Sequence, residues 1–239
     1  MVHAEVRFGS VPACRDSPRL FRLGGLICSA ERLGSAKSGR WKNGSSRLGA
    51  TLKETLLHLG THIRGLGFKG RGQNFRRKEG EFIFVINIQK SRSSEEFYIN
   101  LGAQPTFVPA ACDASLSTLK EYECVMRERV GNEWNWDMNE AARLALIRQL
   151  DTEQEKFFGT IRGLRMAIAH ETPDELLRKF CMGTTQARAA LHLARAASFL
   201  GHAAIADALV KRGLMLAGEH ATILIHDLNH VRQADSGRS

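Results

Sequence analysis

Residues 81–102, EFIFVINIQKSRSSEEFYINLG, carry the clearest fold signal in the chain. Apolar residues occupy every second position from 82 to 88 and again from 97 to 101, which is the period-2 pattern of β-strands with one face in the core. If both apolar sets face one core, Ile88 must lie opposite Ile99 or an equivalent partner of matching parity. The stretch therefore predicts two neighbouring antiparallel strands that share a core face. Its apolar set comprises Phe82, Phe84, Ile86, Ile88, Phe97, Ile99 and Leu101.

The same register fixes the polar residues on the opposite face. Asn87 then lies opposite Asn100, and Gln89 lies opposite Tyr98. Amides and a phenol donate and accept hydrogen bonds but supply no nucleophile. Together with nearby guanidinium groups, they suit the recognition of phosphate, carboxylate or a polar protein surface better than bond cleavage.

A further strand is predicted just before these two. Glu79-Gly80 has the composition of a two-residue hairpin turn between two alternating segments. This turn would pair Phe75 with Phe84 and would add two residues of the earlier strand to the polar face. That predicted face comprises Asn74, Arg76, Asn87, Gln89, Tyr98 and Asn100, with Arg71, Lys90 and Arg92 at its rim.

Two apolar residues, Ile83 and Val85, have the parity of the polar face. They favour a competing interpretation, in which the centre of this face is covered rather than solvated. Amides under a covering helix would then satisfy one another, as buried polar groups in proteins generally do. The polar residues would in that case be structural rather than functional.

Helical patterns flank the predicted sheet. Apolar residues recur at helical spacing from Leu52 to Leu66, and Gly65 and Gly67 end this helix. After Trp136 the period becomes helical for the rest of the chain. The predicted fold is therefore α+β: an N-terminal helix, an antiparallel meander sheet and an all-helical C-terminal part. The predicted regions are a tail over 1–50, helix plus sheet over 51–133, helices packing on the sheet over 134–183, and an Ala-rich helical extension over 184–239.

Local signals predict several boundaries within these regions. Edge strands are expected over 105–112 and 119–127, although prolines interrupt the first of them. Asp137 and Thr152 are each followed three residues later by glutamate, which is the spacing of a capping box at a helix start. Thr172 before a proline indicates another helix start.

Positive charge is concentrated in two parts of the chain. Residues 1–50 and residues 64–92 each carry a net charge of +6, so the remainder carries −3 of the total +9. The first fifty residues are rich in Ser, Gly and Arg without periodicity, which predicts a disordered basic tail. A flexible arm, an organellar transit peptide and a start site assigned too early all fit this tail. The abrupt onset of periodicity near Leu52 favours the last.

We find no complete catalytic, metal or cofactor motif. The five cysteines are widely spread and form no C-x-x-C, so reduced structural thiols are expected. His58 with His62 and His226 with His230 have i,i+4 spacing, but a zinc site also needs a third and usually a fourth ligand. Residues 65–70 spell G-x-G-x-x-G, but here a helix precedes and a strand follows, the reverse of a dinucleotide site. We predict no catalytic residue, no metal and no cofactor.

Hydropathy gives no sign of membrane association. No stretch approaches the ~20 apolar residues that a membrane helix needs. The nearest, residues 20–30, is interrupted by Arg22 and is shorter than the usual hydrophobic region of a secretory signal. A cytoplasmic protein without a membrane partner is the expectation.

The segment GFKGRGQNFRRKEGEFIFVINIQKSRSSEEFYINLG, residues 67–102, resembles a bacterial family described as a domain of unknown function, number four-three-zero-four of that series. The pairing of I-N-x-Q-K-S with Y-I-N-L-G carries the resemblance, and a looser likeness extends it to about residues 52–168. The resemblance implies a small bacterial α+β domain with no assigned activity and no assigned catalytic residues. It does not extend to the first fifty or the last fifty-odd residues.

The expected function is non-enzymatic binding. The polar cationic face would contact an acidic protein or a small anionic ligand, and an immunity-like or regulatory role is consistent with a small domain that lacks reactive groups. A nucleic-acid-binding protein is the first alternative, and it predicts binding that weakens steeply with salt. Its cations would be Arg71, Arg76, Arg77, Lys90 and Arg92.

An enzyme is the second and less expected alternative. Carboxylates such as Glu95, Glu96 and Glu121 would then converge only in the folded chain. This alternative predicts a deep pocket that contains at least one strongly perturbed titrating group.

Overall fold

A computed structural model describes residues 43–91, 95–110 and 114–236. The first 42 residues of the predicted tail and the predicted rim residue Arg92 lie outside the described residues. Within the described part, the helical chain begins at Asn43, ahead of the apolar repeat that starts at Leu52. The predicted tail is therefore helical over its last residues, 43–50.

Five antiparallel strands form one meander sheet whose spatial order follows the chain. Each strand is a neighbour of the next one in sequence, as expected for hairpin connections. The sheet therefore confirms the predicted α+β class and the predicted meander. Its strands are β1 Lys69–Arg71, β2 Asn74–Glu79, β3 Phe82–Lys90, β4 Glu96–Pro105 and β5 Met126–Asn135.

The register of β3 against β4 is the predicted one. Ile88 lies opposite Ile99, Asn87 lies opposite Asn100, and Gln89 lies opposite Tyr98. Every member of the predicted apolar set is buried against the main core. The alternation was sufficient to predict this register, because a slip of one residue would have exposed the apolar side chains of a whole strand.

The register of β2 against β3 differs from the prediction. Gly80-Glu81 forms the two-residue turn instead of Glu79-Gly80, so Phe75 pairs with Ile86 rather than with Phe84. Gly80 adopts a positive φ of 55° at the first turn position, a conformation that glycine accepts readily. The correction shifts the pairing by two residues, and it therefore leaves Asn74 on the same face as predicted.

The predicted edge strands over 105–112 and 119–127 are wrong in their bounds. Pro105 is the last residue of β4, and residues 121–123 form a 3₁₀ turn, Glu121–Glu123, instead of a strand. The next strand, β5, begins only at Met126 and continues to Asn135. A register shift between Phe97 and Ile99 interrupts its alternation, which hid it from the sequence.

Helices precede and follow the sheet. One prediction of a helix start is confirmed: Thr172 caps α4 through a reciprocal capping box with Glu175. Two are corrected, because Asn139 caps α2 in place of Asp137, and Thr152 lies inside α2 with its hydroxyl donating to the carbonyl of Arg148. The helices are α1 Asn43–Gly65, α2 Glu140–Arg162, α3 Leu164–His170, α4 Pro173–Phe180, α5 Gln186–Phe199, α6 Ala203–Leu216 and α7 Thr222–Ser236.

The main core lies on one side of the sheet, under α1 and α2. Phe84 of β3 packs on Phe158 of α2 with ring centroids 4.4 Å apart. Phe97 stacks on Trp136 at 4.2 Å, and Thr55 of α1 donates its hydroxyl proton to the Trp136 carbonyl. The helices that follow the sheet continue this core as far as Val231. The other face of the sheet is therefore left for the polar residues.

Candidate functional site

A row of polar residues crosses all five strands on the face away from α2. Arg71, Asn74, Asn87, Asn100 and Arg129 are successive cross-strand partners from β1 to β5. Directly opposed residues project from the same face of a sheet, so all five belong to one surface. We call these five residues the polar row. It carries an arginine at each end and three amides between them.

Hydrogen bonds connect the amides of the polar row. The Asn87 amide nitrogen donates to Asn74 Oδ1 at 2.9 Å. The Asn100 amide nitrogen donates to Gln89 Oε1 at 2.8 Å and to Asn87 Oδ1 at 3.4 Å. Arg129 Nε donates to Asn100 Oδ1 at 3.1 Å. Because Asn100 is 4% exposed and bonded on both sides, its side chain is held in one orientation.

Arg129 is the most constrained cation of the polar row. Its guanidinium carbon lies 3.9 Å from the centre of the Tyr98 ring, in cation–π contact. Partial burial lowers the pKa of Arg129 from its usual value, against the opposing influence of Glu121. The guanidinium remains charged at neutral pH. Within the described part of the chain, its two terminal nitrogens have no hydrogen-bond partner, whereas Nε is occupied by Asn100.

Arg129 is not among the site residues predicted from the sequence. Arg129 lies two residues after Arg127, and residues two apart in a strand project from the same face. That signal required β5 to be recognised as a strand, and the predicted strand ended at residue 127 instead.

The neighbouring row of the same face is covered by a loop that includes residues 114–125. Arg76 donates to the carbonyl oxygen of Thr118 at 2.8 Å and to that of Leu119. Ile83 and Val85 pack there in a small second core that also contains Leu119 and Cys124. The prediction of a covered centre is therefore confirmed, although a loop covers it instead of a helix. Arg76 is part of that attachment and does not belong to the open surface.

A buried ion pair stabilises the loop on the sheet. Glu121, which is 4% exposed, accepts a hydrogen bond from Arg127 Nε at 2.6 Å. Burial raises the pKa of Glu121, and the Arg127 guanidinium acts in the opposite direction. Gly102 allows the loop to approach, because a Cβ there would lie 2.8 Å from the Cys124 sulfur. These contacts give Glu121 a structural partner rather than a reacting one.

The carboxylates named for an enzymatic site do not converge. The Cα atom of Glu121 lies beside Gly102, 3.2 Å from the position of a Cβ on that glycine. Glu96 is six residues away along β4, a distance of ~20 Å at ~3.3 Å per residue. Glu95 adjoins Glu96, so a shared catalytic centre of these three groups is not formed.

The other predicted cations fall on different surfaces. Arg71 lies on the polar row, but Lys90 pairs with Phe97 and has the parity of the core face, so its predicted place on the polar rim is corrected. Arg77 also lies on the core side, with its guanidinium carbon 4.7 Å from the centre of the Phe68 ring. The cations proposed for nucleic-acid binding are thus divided between the two faces.

Two of the surface cavities formed by the described residues have no member of the polar row in their lining. One of about 400 Å³ is lined by residues of α4, α5 and α6, including Asp174 and Arg212. The other, of about 210 Å³, lies between α1 and the start of β2 and includes Leu57 and Phe75. Neither cavity is lined by Glu121 or by the amides of the polar row.

Metal-binding groups are not assembled in the described residues. No group of three or more His, Cys, Asp and Glu side chains with metal-binding geometry occurs among them. His62 instead contacts Asp151 of α2, with 2.7 Å between Nε2 and Oδ1. No helix within the described ranges is long and apolar enough to cross a membrane.

Comparison with known families identifies one similarity. Residues 59–158 match the model of a family described as a domain of unknown function, DUF4304. The resemblance predicted from the sequence is thereby confirmed over this segment, which includes every residue of the polar row. No curated protein and no solved structure matches the chain.

Proposed function

We propose that the protein is a non-enzymatic binding protein that recognises an anionic partner through the open part of its polar face. The observation that carries this proposal is the fixed Arg129 guanidinium, which bonds Asn100 through Nε and packs on Tyr98. The proposal places the protein in a bacterial cytoplasm, with a protein or a small anion as partner and an immunity-like or regulatory role.

The chemistry of the polar row favours binding over catalysis. Its amides and guanidinium groups donate and accept hydrogen bonds but contain no nucleophile and no general base near neutral pH. Glu121, the buried carboxylate nearest the row, is already paired with Arg127. Active sites generally combine a concave pocket with a perturbed titrating group, and the polar row lies outside both cavities described above.

The charge of the row favours an anionic partner. Arg71 and Arg129 stand at its two ends, and the carboxylate of Glu128 is excluded from this face because Glu128 lies opposite Leu101. Charge-assisted hydrogen bonds from guanidinium to carboxylate or phosphate are about twice as strong as neutral ones. An arginine whose orientation is already fixed loses less entropy when it binds.

Affinity capture from a bacterial lysate tests this proposal. The full chain and its Arg129→Gln and Arg148→Gln variants would be immobilised at low and high salt, with and without nuclease. Arg148→Gln is the matched control, because it removes the same charge from an exposed position on α2, away from the polar face. We expect ligands that survive nuclease to be retained by the wild type and the control and lost from Arg129→Gln.

The opposite results would contradict the proposal. If the two variants retain the same ligands as the wild type, the polar face is not the binding surface. If every ligand disappears after nuclease treatment, the nucleic-acid alternative replaces the proposed function.

A further inference from the structure

We infer that the anionic partner is an extended acidic segment of another protein, which lies across the strands along the polar row with a carboxylate on Arg129. This inference rests on the proposed function and specifies the partner of the same surface. It follows from three features of the row: the form of the Arg129 guanidinium, the spacing of the two arginines, and the hydrogen-bonding groups between them.

Arg129 presents two parallel donors to the partner. Its Nε is bonded to Asn100 at 3.1 Å, and one face of its guanidinium is covered by the Tyr98 ring at 3.9 Å. The edge that carries Nη1 and Nη2 therefore remains for contact. That edge matches the two oxygens of a carboxylate in a bidentate pair, a geometry that lysine cannot provide.

The distance between the two arginines suits an extended chain. Arg71 and Arg129 are four strand spacings apart, or ~19 Å at ~4.8 Å per spacing. An extended peptide rises ~3.3 Å per residue, so about six residues cover this distance. Acidic side chains at the two ends of such a segment would meet both cations at once. A small anion could contact only one of them.

The centre of the row offers groups that complement a peptide backbone. The amide nitrogens of Asn74 and Gln89 have no hydrogen-bond partner within the described residues, while their oxygens accept from Asn87 and Asn100. These two amide donors, one in the row and one next to it, can bond backbone carbonyls, which an extended peptide presents at regular intervals. The centre can thus bind the backbone while the two ends bind carboxylates.

The same surface is poorly suited to nucleic acid. Single strands bind through bases that stack on open aromatic faces between cations. Tyr98 already has one face covered by Arg129, and the described residues of the row contribute no other aromatic ring. Arg76 and Arg77, which an electrostatic surface would require, are engaged by the carbonyls of Thr118 and Leu66.

A direct binding assay on the full chain tests the inference. The probes are a Glu-rich peptide of about ten residues, its Gln-rich counterpart, a DNA oligonucleotide of about ten nucleotides and inorganic phosphate, measured by titration calorimetry at one ionic strength. A peptide of about ten residues exceeds the ~19 Å between the arginines. We expect binding of the Glu-rich peptide and not of the Gln-rich peptide.

Variants connect that binding to the polar row. Arg129→Gln should weaken the affinity for the Glu-rich peptide by at least ~10-fold, as expected when one partner of a desolvated charge pair is removed. Arg129→Lys should also weaken it by about 10-fold, since it retains the charge but loses the fork. Arg71→Gln, at the exposed edge, should weaken it by about 2–5-fold. The control Arg148→Gln should change it by less than about 2-fold.

Each remaining result refutes a specific part of the reasoning. Phosphate binding that depends on Arg129, without peptide binding, would overturn this inference and leave the proposed function intact. Oligonucleotide binding that depends on Arg129, without peptide binding, would overturn both in favour of the nucleic-acid alternative. Equal affinity of the Glu-rich peptide for the wild type and Arg129→Gln would overturn both. If Arg129→Gln does not fold, the affinities of Arg129→Lys and Arg71→Gln for the Glu-rich peptide test the inference instead. Wild-type affinity in both of these variants would contradict it.

Discussion

The hydrogen bond between Arg129 and Asn100 makes a quantitative prediction. Asn100→Ala removes two donated bonds and one accepted bond, and Arg129→Met removes every donor while it keeps an apolar stem over Tyr98. A hydrogen bond that involves a charged group contributes ~1.5–3 kcal/mol, and solvent competes at the exposed arginine. We therefore expect a coupling free energy of about 1–2 kcal/mol between the two sites. Asn100→Ala alone should cost about 2–3 kcal/mol.

A double-mutant cycle measured by urea unfolding gives this coupling. The four proteins of the cycle should share one m-value, so that changes in the midpoint report changes in the free energy of unfolding. A second cycle between Asn100 and Arg148 serves as the control. Its two substitutions should add within ~0.3–0.5 kcal/mol, because Arg148 lies on the other side of the sheet. If the coupling free energy between Asn100 and Arg129 is as small as that between Asn100 and Arg148, the hydrogen bond does not organise the polar row.

Three further predictions concern the stability of the fold. Gly102→Ala should destabilise the protein by about 1–3 kcal/mol in urea unfolding, because its Cβ would lie 2.8 Å from the Cys124 sulfur; an unchanged midpoint would exclude this close approach. Gly159→Ala, in α2 with nothing within 4 Å of the added Cβ, should instead stabilise by roughly 0.5–1 kcal/mol, and a loss of stability would show that the helix is crowded there. Burial lowers the pKa of His192 from its usual value of 6.5 to about 3, so the unfolded chain binds more protons between these values. The contribution of His192 is therefore fully present above pH 6.5 and is lost as the pH falls towards 3, and unfolding midpoints of His192→Leu should depend less on pH in this range than those of the wild type.

The central sheet was accessible from the sequence because its information is local. Alternation over β3 and β4 specifies which residues face the core, and only one parity buries both Ile88 and Ile99. The same rule places Asn87 and Asn100 on a shared face from the sequence alone. Alternation could not specify the turn residues in the same way. A turn at Glu79-Gly80 and a turn at Gly80-Glu81 place every side chain of the two strands on the same face.

The fifth strand could not be recognised from its own residues. Met126 and Val130 are buried, but the strand otherwise carries mainly charged or polar side chains, and a register shift breaks its alternation. Its conformation depends on pairing with β4, which is a contact distant in sequence. Arg129 was missed for this reason, although it anchors the candidate site.

The loop that covers part of the polar face is held there by contacts between residues far apart in sequence. Arg76 is fixed by the carbonyls of Thr118 and Leu119, more than forty residues later in the chain. By contrast, strand parity alone was enough to predict that the cations proposed for nucleic-acid binding lie on two different faces of the sheet. Arg76 and Arg77 are adjacent in a strand and must therefore point to opposite faces.

Helix starts show a similar dependence on context. Thr152 has the spacing of a capping box, yet its hydroxyl bonds the carbonyl of Arg148 within a continuous α2. A threonine can satisfy either arrangement, and packing of the buried Leu150 and Phe157 against the core selects the helix interior. At Thr172 the following proline removes this ambiguity, because proline is favoured in the first turn of a helix.

The most direct test of the polar row as a binding surface is to observe its side-chain amides by NMR. In uniformly ¹⁵N-labelled protein, the amide signals of Asn87 and Asn100 should move during titration with the Glu-rich peptide. The same signals should stay in place when Arg129→Gln is titrated. Peptide-induced shifts that are confined to other surfaces, or that persist without Arg129, would show that the polar row is not the binding surface.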